Sequence, residues 1–195
     1  MSEAVFAPDP ARVRLVAFDS DGTLTDRGIT WDTDGRGLRR FDVRDGIAMQ
    51  WAQLVGIAVV VISGKDSPAV AHRLAELGVP GFQGVKDKVT CLADFAETRG
   101  IGLDECAFLG DDLPDLPALR AVHYPMAVAD AHPLVHAVSA WSSVSAGGFG
   151  AARDALEHVF TARGVWGDVL ARYGARDLAD ALADDPTARR ARRFE

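Results

Sequence analysis

The stretch Val13-Arg14-Leu15-Val16-Ala17-Phe18-Asp19-Ser20-Asp21-Gly22-Thr23-Leu24-Thr25-Asp26 constrains this chain more than any other. An apolar, mostly β-prone run ends abruptly in two aspartates one residue apart, followed by a glycine and small hydroxyl residues. Such a run reads as a strand buried on both faces, the kind found in parallel sheets. Asp19 and Asp21 then stand at its carboxyl end, where open α/β sheets place their ligands. Carboxylates this close repel one another and need compensation. A divalent cation with hard oxygen ligands supplies it. Taken alone, Asp-x-Asp-Gly reads equally well as a solvated turn after a core strand.

The rest of the chain alternates strand and helix patterns. After the acidic loop come β-prone Ile29-Thr30-Trp31, the turn residues Asp32-Thr33-Asp34-Gly35 and a returning segment over residues 38–41. This spacing predicts a β-hairpin over about 28–42, projecting from the end of the first strand over the site. Helical spacing runs from Ile47 through Met49, Trp51 and Leu54 and stops at Gly56. A buried strand over 57–62 ends in Ser63-Gly64-Lys65. Pro68 fits the first turn of the next helix, and a short strand lies near 81–84. Lys86-Asp87-Lys88 opens a helix with Val89, Leu92 and Phe95 inward. The strand Cys106-Ala107-Phe108-Leu109 ends in Gly110-Asp111-Asp112. Further strands fall at 124–128 and 140–144, and Gly147-Gly148-Phe149-Gly150 leads into a last long helix.

This alternation predicts right-handed βαβ units in an α/β fold: a three-layer, doubly wound, mainly parallel sheet of Rossmann-like type. Residues 1–11 read as a flexible lead-in, 12–164 as the core carrying the hairpin flap, and 165–195 as a C-terminal helix and tail. A chain of 195 residues suits one domain with a sizeable core.

The net charge of -7 argues against a nucleic-acid partner. It says little about the substrate, because a bound metal can reverse the local field. Cys91 and Cys106 lie outside any CxxC pattern in apolar surroundings, which favours buried thiols over a disulfide. No apolar run is long enough to span a bilayer, and the N-terminus lacks the basic region of a signal peptide. The expected compartment is the cytoplasm, with no membrane partner. The basic run Arg189-Arg190-Ala191-Arg192-Arg193 reads as solvated surface rather than an anion site.

Four regions carry groups that can converge if their strands are neighbours: Asp19 and Asp21, Ser63, Lys88, and Asp111 with Asp112 and Asp115. Asp112 and Asp115 read either as helix N-terminal residues or as metal support. Carboxylates, a hydroxyl and an ammonium suit phosphoryl transfer. The acids bind Mg²⁺, and the hydroxyl and Lys88 hold the phosphoryl oxygens. One aspartate attacks, and another moves the proton. There is no Walker sequence, GxSxG or HExxH. His132, before Pro133, reads as structural, and Trp31 and Trp51 as packing.

These motifs resemble the haloacid dehalogenase superfamily of phosphotransferases: Asp19-Ser20-Asp21-Gly22-Thr23, Ser63-Gly64, Lys88, and Gly110-Asp111-Asp112 with Asp115. The resemblance implies Asp19 as nucleophile and Asp21 as general acid/base. It implies Mg²⁺ held by Asp19, the backbone carbonyl of Asp21, and Asp111. Ser63, Gly64 and Lys88 would bind phosphate. The text Phe41-Asp42-Val43-Arg44-Asp45-Gly46, Gln83-Gly84, Gly110-Asp111-Asp112-Leu113-Pro114-Asp115 and Val128-Ala129-Asp130-Ala131-His132-Pro133 is similar to the 3-deoxy-D-manno-octulosonate 8-phosphate phosphatases. That branch has a short hairpin in place of a large cap domain and forms homotetramers in which a neighbour covers the site. Arg44, Asp45, Gly46 and Arg73 are then candidate substrate contacts.

Three positions depart from the branch. Lys65 stands where arginine is usual, which keeps charge but loses bidentate geometry. Gln50 stands where arginine is frequent, and Phe149 where a polar or basic residue is expected. The expected activity is Mg²⁺-dependent hydrolysis of a small sugar phosphate, a 3-deoxy-2-ulosonate phosphate, through an aspartyl-phosphate. The alternatives are another phosphosugar, or a non-catalytic oligomerising module.

Overall fold

Three strands form the centre of the molecule because nearly all their side chains are apolar and can be buried on both faces. The structure, a computed structural model, describes residues 7–177; the basic run 189–193 and most of the predicted tail lie outside them. The strands are β1 (Leu15–Phe18), the hairpin pair β2 (Thr30–Trp31) and β3 (Gly37–Leu38), β4 (Ala58–Ile62), β5 (Gly81–Phe82), β6 (Cys106–Gly110), β7 (Tyr124–Ala127) and β8 (Trp141–Ser142). The helices are α1 (Val43–Leu54), α2 (Pro68–Leu77), α3 (Lys88–Glu97), α4 (Leu116–Ala121), α5 (Pro133–Val138), α6 (Ala151–Ala162) and α7 (Trp166–Ala171).

Six strands form one sheet in the order β5-β4-β1-β6-β7-β8, and every pairing in it is parallel. Leu15 pairs with Ala58 and Cys106, and Phe18 with Val61 and Leu109. Side chains of β1 and β6 are wholly buried, so helices must cover both faces. α1 packs on α6 and α2, while α4 packs on α3 and α5. This is the doubly wound α/β sheet that the sequence alternation predicts.

Strand order reverses at β1. The chain runs outward through β4 and β5, then returns to build β6, β7 and β8 on the other side. The crevice outside the carboxyl end of β1 is therefore the topological switch point.

The hairpin forms where predicted. β2 and β3 pair antiparallel, and Thr25 bridges Phe41 at its base. Asp32 fixes the turn: its carboxylate accepts the backbone N–H of Asp34 at 2.9 Å and of Arg36 at 2.8 Å. There is no second covering domain among the described residues. Trp31 and Leu38 on the hairpin remain 66% and 51% exposed.

One boundary differs from the sequence pattern. α1 begins at Val43, a turn before the periodicity at Ile47, because the Asp42 side chain accepts the Arg44 N–H and caps it. At the other end, α7 folds back on the body. Trp166 stacks on Phe160 and lies 5.8 Å from the Trp51 ring. The Trp51 indole N–H donates to the Tyr173 hydroxyl at 2.8 Å. Cys91 and Cys106 are both free thiols.

Candidate active site

Asp19 is the first residue beyond β1, and its N–H donates to Leu109 O at 3.0 Å, so the strand pairing itself places it. Ser63 follows β4, and Asp111 follows β6. Lys88 arrives from the start of α3, whose first turn is capped by the Asp87 carboxylate. These residues line one cleft of about 330 Å³, together with Asp21, Arg27, Gly64, Lys65, Asp112 and Asp115.

The centre of the cleft is a buried ionic cluster. Lys88 Nζ donates to Asp19 Oδ1 at 2.5 Å and to Asp115 Oδ1 at 2.7 Å. Asp115 Oδ2 accepts the backbone N–H of Asp111 at 3.0 Å. Arg27 Nε donates to Asp111 Oδ2 at 3.0 Å, and its other nitrogens reach the carboxylate and carbonyl of Asp130. Burial, then repulsion from Asp115, pushes the Asp19 pKa up to about 7 against the pull of Lys88. Burial raises Asp111 as well, with the Arg27 hydrogen bond opposing. Burial also works against the Lys88 charge, but Asp19 and Asp115 outweigh it and hold the ammonium above its ordinary range.

The cluster is thus short of positive charge. Asp19, Asp111 and Asp115 each offer a carboxylate oxygen, all within 4.8 Å of one another. Hard oxygen donors from three carboxylates in one buried spot fit a divalent cation.

Glycines make this packing possible. Gly22 has φ +107, and a Cβ there would collide with the Asp111 carboxylate. A Cβ on Gly147 would collide with the Gly22 carbonyl oxygen. The Gly-Gly turn is tied down as well: Gly148 N–H donates to Thr23 O at 3.0 Å, and Gly147 N–H to the Asp130 carboxylate at 2.9 Å.

A family model described as haloacid dehalogenase-like hydrolase matches residues 82–147. The 3-deoxy-D-manno-octulosonate 8-phosphate phosphatase of Escherichia coli K12 is 36% identical over 153 residues, which is 78% of this chain and 81% of that protein. The chain belongs to the haloacid dehalogenase-like hydrolases. Its branch is that of the 3-deoxy-D-manno-octulosonate 8-phosphate phosphatases, and it is a phosphoric monoester hydrolase. The crystal structure of the Moraxella catarrhalis phosphatase, in complex with magnesium ion, phosphate ion and a KDO molecule, superimposes with a TM-score of 0.81 at 34% identity. The match covers 84% of this chain and 95% of that one. A hypothetical protein from Xanthomonas campestris gives the same TM-score at 40% identity, covering 84% of this chain and 90% of that one.

Against the sequence reading of this hydrolase, Asp19, Asp21, Ser63, Gly64, Lys88 and Asp111 converge on the cleft. Arg44, Asp45, Gly46 and Arg73 do not line it. Arg44, Asp45 and Gly46 sit in the first turn of α1, and Arg73 on α2. Arg44 pairs with Asp42 at 3.0 Å and donates to Phe149 O at 2.6 Å. Asp45 accepts the Arg153 N–H at 2.8 Å. A Cβ on Gly46 would collide with the Arg73 guanidinium, and Arg73 pairs with Glu76 at 2.9 Å. Asp45, Gly46 and Arg73 line a separate, shallow depression.

Asp115, for which the sequence left a metal-support role open, is the third carboxylate within reach of a shared cation. Two cleft features were not read from sequence. The Asp21 carboxylate instead accepts Arg39 Nε at 2.8 Å, from the strand returning out of the hairpin. Arg27 holds the left-handed backbone conformation with φ 65. Its place beside the Asp-rich loop was the only signal for it. For Arg39 the signal was alternation along the hairpin, which puts it on the face opposite exposed Leu38.

Proposed function

We propose that this enzyme hydrolyses a 3-deoxy-2-ulosonate phosphate, 3-deoxy-D-manno-octulosonate 8-phosphate or a close relative, with Mg²⁺ and through an aspartyl-phosphate on Asp19. One observation carries the mechanism: Lys88 bridges Asp19 and Asp115 at the switch point of the sheet, beside Asp111. The substrate rests on likeness to the curated phosphatases.

Asp19, Asp111 and Asp115 would hold the Mg²⁺, with the Asp21 backbone carbonyl implied by the family. The bound cation would supply Lewis-acid neutralisation of the carboxylates and the phosphate. Asp19 attacks phosphorus, oriented by Lys88. The Ser63 hydroxyl and the Lys88 ammonium hold phosphoryl oxygens in place. Asp21 gives a proton to the leaving alcohol, then takes one from the water that cleaves the acyl phosphate. We also propose a homotetramer: among the described residues the site has only a hairpin above it, and that hairpin leaves Trp31 on one face and Leu38 on the other exposed.

A second reading, a phosphosugar outside the ulosonates, is favoured by Phe149. Its ring lies 4.1 Å beneath the Arg40 guanidinium, so the Gly-Gly turn here presents a stacked aromatic where the family resemblance leads one to expect a polar or basic residue. Phosphate release across a panel of phosphosugars, ranked by kcat/KM, decides between the two. Preference for a ulosonate phosphate, loss of turnover with chelator and its return with Mg²⁺ are expected. Full activity in Asp19→Asn, or without metal, would sink the mechanism.

A further inference from the structure

Asp21 sits in the cleft with only one of its carboxylate oxygens engaged. Oδ1 accepts Arg39 Nε at 2.8 Å. Oδ2 has no hydrogen-bond partner among the described residues. Arg39 is itself nearly enclosed, with its side chain 7% exposed. It is fixed at its far end as well, where Nη1 donates to Leu38 O at 3.1 Å. Gly37 leaves room for this: a Cβ there would come within 3.3 Å of Arg39 Nη1. The neighbours on the same segment face elsewhere. Leu38 points to solvent, and Arg40 donates to Gly148 O at 2.7 Å.

From this geometry we propose that Arg39 is the positioning residue for the proton-transfer group. It clamps Asp21 Oδ1 and leaves Oδ2 to exchange a proton with the leaving oxygen. The proposal rests on the phosphatase reading of Asp19 and Asp21 but goes beyond it, because it gives the hairpin a part in the chemistry itself. In the first half-reaction a bond forms from an Asp19 oxygen to phosphorus. The bond from phosphorus to the alcohol oxygen breaks, and the proton on Asp21 moves to that oxygen. A carboxylate free to rotate would meet the leaving oxygen less often. A misplacement of about 1 Å is enough to cost about 10²-fold in rate.

The leaving group separates this role from a structural one. An alkoxide needs the proton, and p-nitrophenolate departs without it. The test measures kcat/KM, which reports the steps up to loss of the alcohol, on propyl phosphate and on p-nitrophenyl phosphate. Propyl phosphate has no sugar hydroxyls or carboxylate, so the outcome is independent of which sugar the enzyme prefers. Arg39→Ala is expected to lower kcat/KM on propyl phosphate by about 10²-fold and on p-nitrophenyl phosphate by less than about threefold. Arg39→Lys is expected to recover part of the loss, since it keeps a donor but not the guanidinium geometry. In an Asp21→Asn background, Arg39→Ala is expected to cost nothing further, as for residues acting as one unit.

Equal losses on the two substrates would overturn the proposal in favour of a structural role. An additional loss in the Asp21→Asn background would overturn it in favour of direct substrate contact. Failure to hydrolyse any ulosonate phosphate, with the propyl phosphate contrast intact, would overturn the substrate reading and leave the Arg39 assignment standing.

Discussion

Lys88 Nζ lies 2.5 Å from Asp19 Oδ1, and the two side chains are almost shut off from solvent. One cation thus aims Asp19, the proposed nucleophile, and screens it from Asp115, which sits 2.7 Å away from the same ammonium. Removing one member of a buried ionic group leaves the others uncompensated. Lys88→Met is therefore expected to destabilise the fold by about 3–5 kcal/mol. The loss is greater at pH 8 than at pH 5, because protonation of Asp19, whose pKa burial pushes up to about 7, relieves it. Thermal unfolding at the two pH values reads this. The same variant is expected to lower kcat by about 10²–10³-fold. A Tm unchanged at pH 8 would contradict the ionic-cluster account.

Gly147 touches the acidic loop through backbone alone. An added methyl would strike the Gly22 carbonyl oxygen, and Gly22 is packed against the Asp111 carboxylate. Gly147→Ala is expected to shift that loop and to lower kcat by about 10²-fold, as small displacements at a reacting centre do. Gly35→Ala is the comparison. Gly35, unlike Gly147, has positive φ, but nothing lies within 4 Å of a Cβ there, so its cost of about 1 kcal/mol is one of backbone strain alone, with turnover unchanged. Equal kcat in the two variants would show that the Gly147 contact does not position the site.

Asp45 lies outside the cleft yet is buried, with one oxygen, Oδ2, unpartnered. Burial pushes its pKa up to about 7; the Arg153 N–H opposes this, and Asp42 adds to it. The folded chain thus holds this proton where the unfolded chain, with an ordinary carboxyl, has released it. Stability from this group is present at low pH and falls as pH rises from about 4 to about 7, by up to roughly 2–4 kcal/mol. Asp45→Asn keeps an acceptor for Arg153 N–H and removes the charge. It is expected to be more stable than the parent at pH 8, with little difference at pH 4. Chemical unfolding across that range checks it; a parent whose stability does not fall over the range would refute it.

The chain's own residues made much of this legible. Buried strands announce themselves by continuous apolar text, as at residues 15–18 and 106–109, because both faces must leave water. The alternation of such text with helical periods fixes a parallel sheet. Small or charged residues at the ends of those runs, Asp19, Ser63 and Asp111, mark its carboxyl edge. Even the hairpin shows through turn chemistry, since Asp32 and Gly35 have few other uses.

Tertiary structure alone decided which side chains within that frame meet. Asp21 and Asp115 look alike in sequence. The sheet brings Asp115 to Asp19 through Lys88, while the hairpin turns the Asp21 carboxylate to Arg39. Arg44, Asp45, Gly46 and Arg73 read as substrate contacts, but the fold sets them outside the cleft, with Arg44 on Asp42, Asp45 on the Arg153 N–H and Arg73 against Gly46 and Glu76. Arg27 and Asp130 meet across 103 positions of chain. Sequence sets secondary structure through local preference and burial, which act over a few residues. Partner choice among charged groups is set by distances across the fold, and no local pattern carries those.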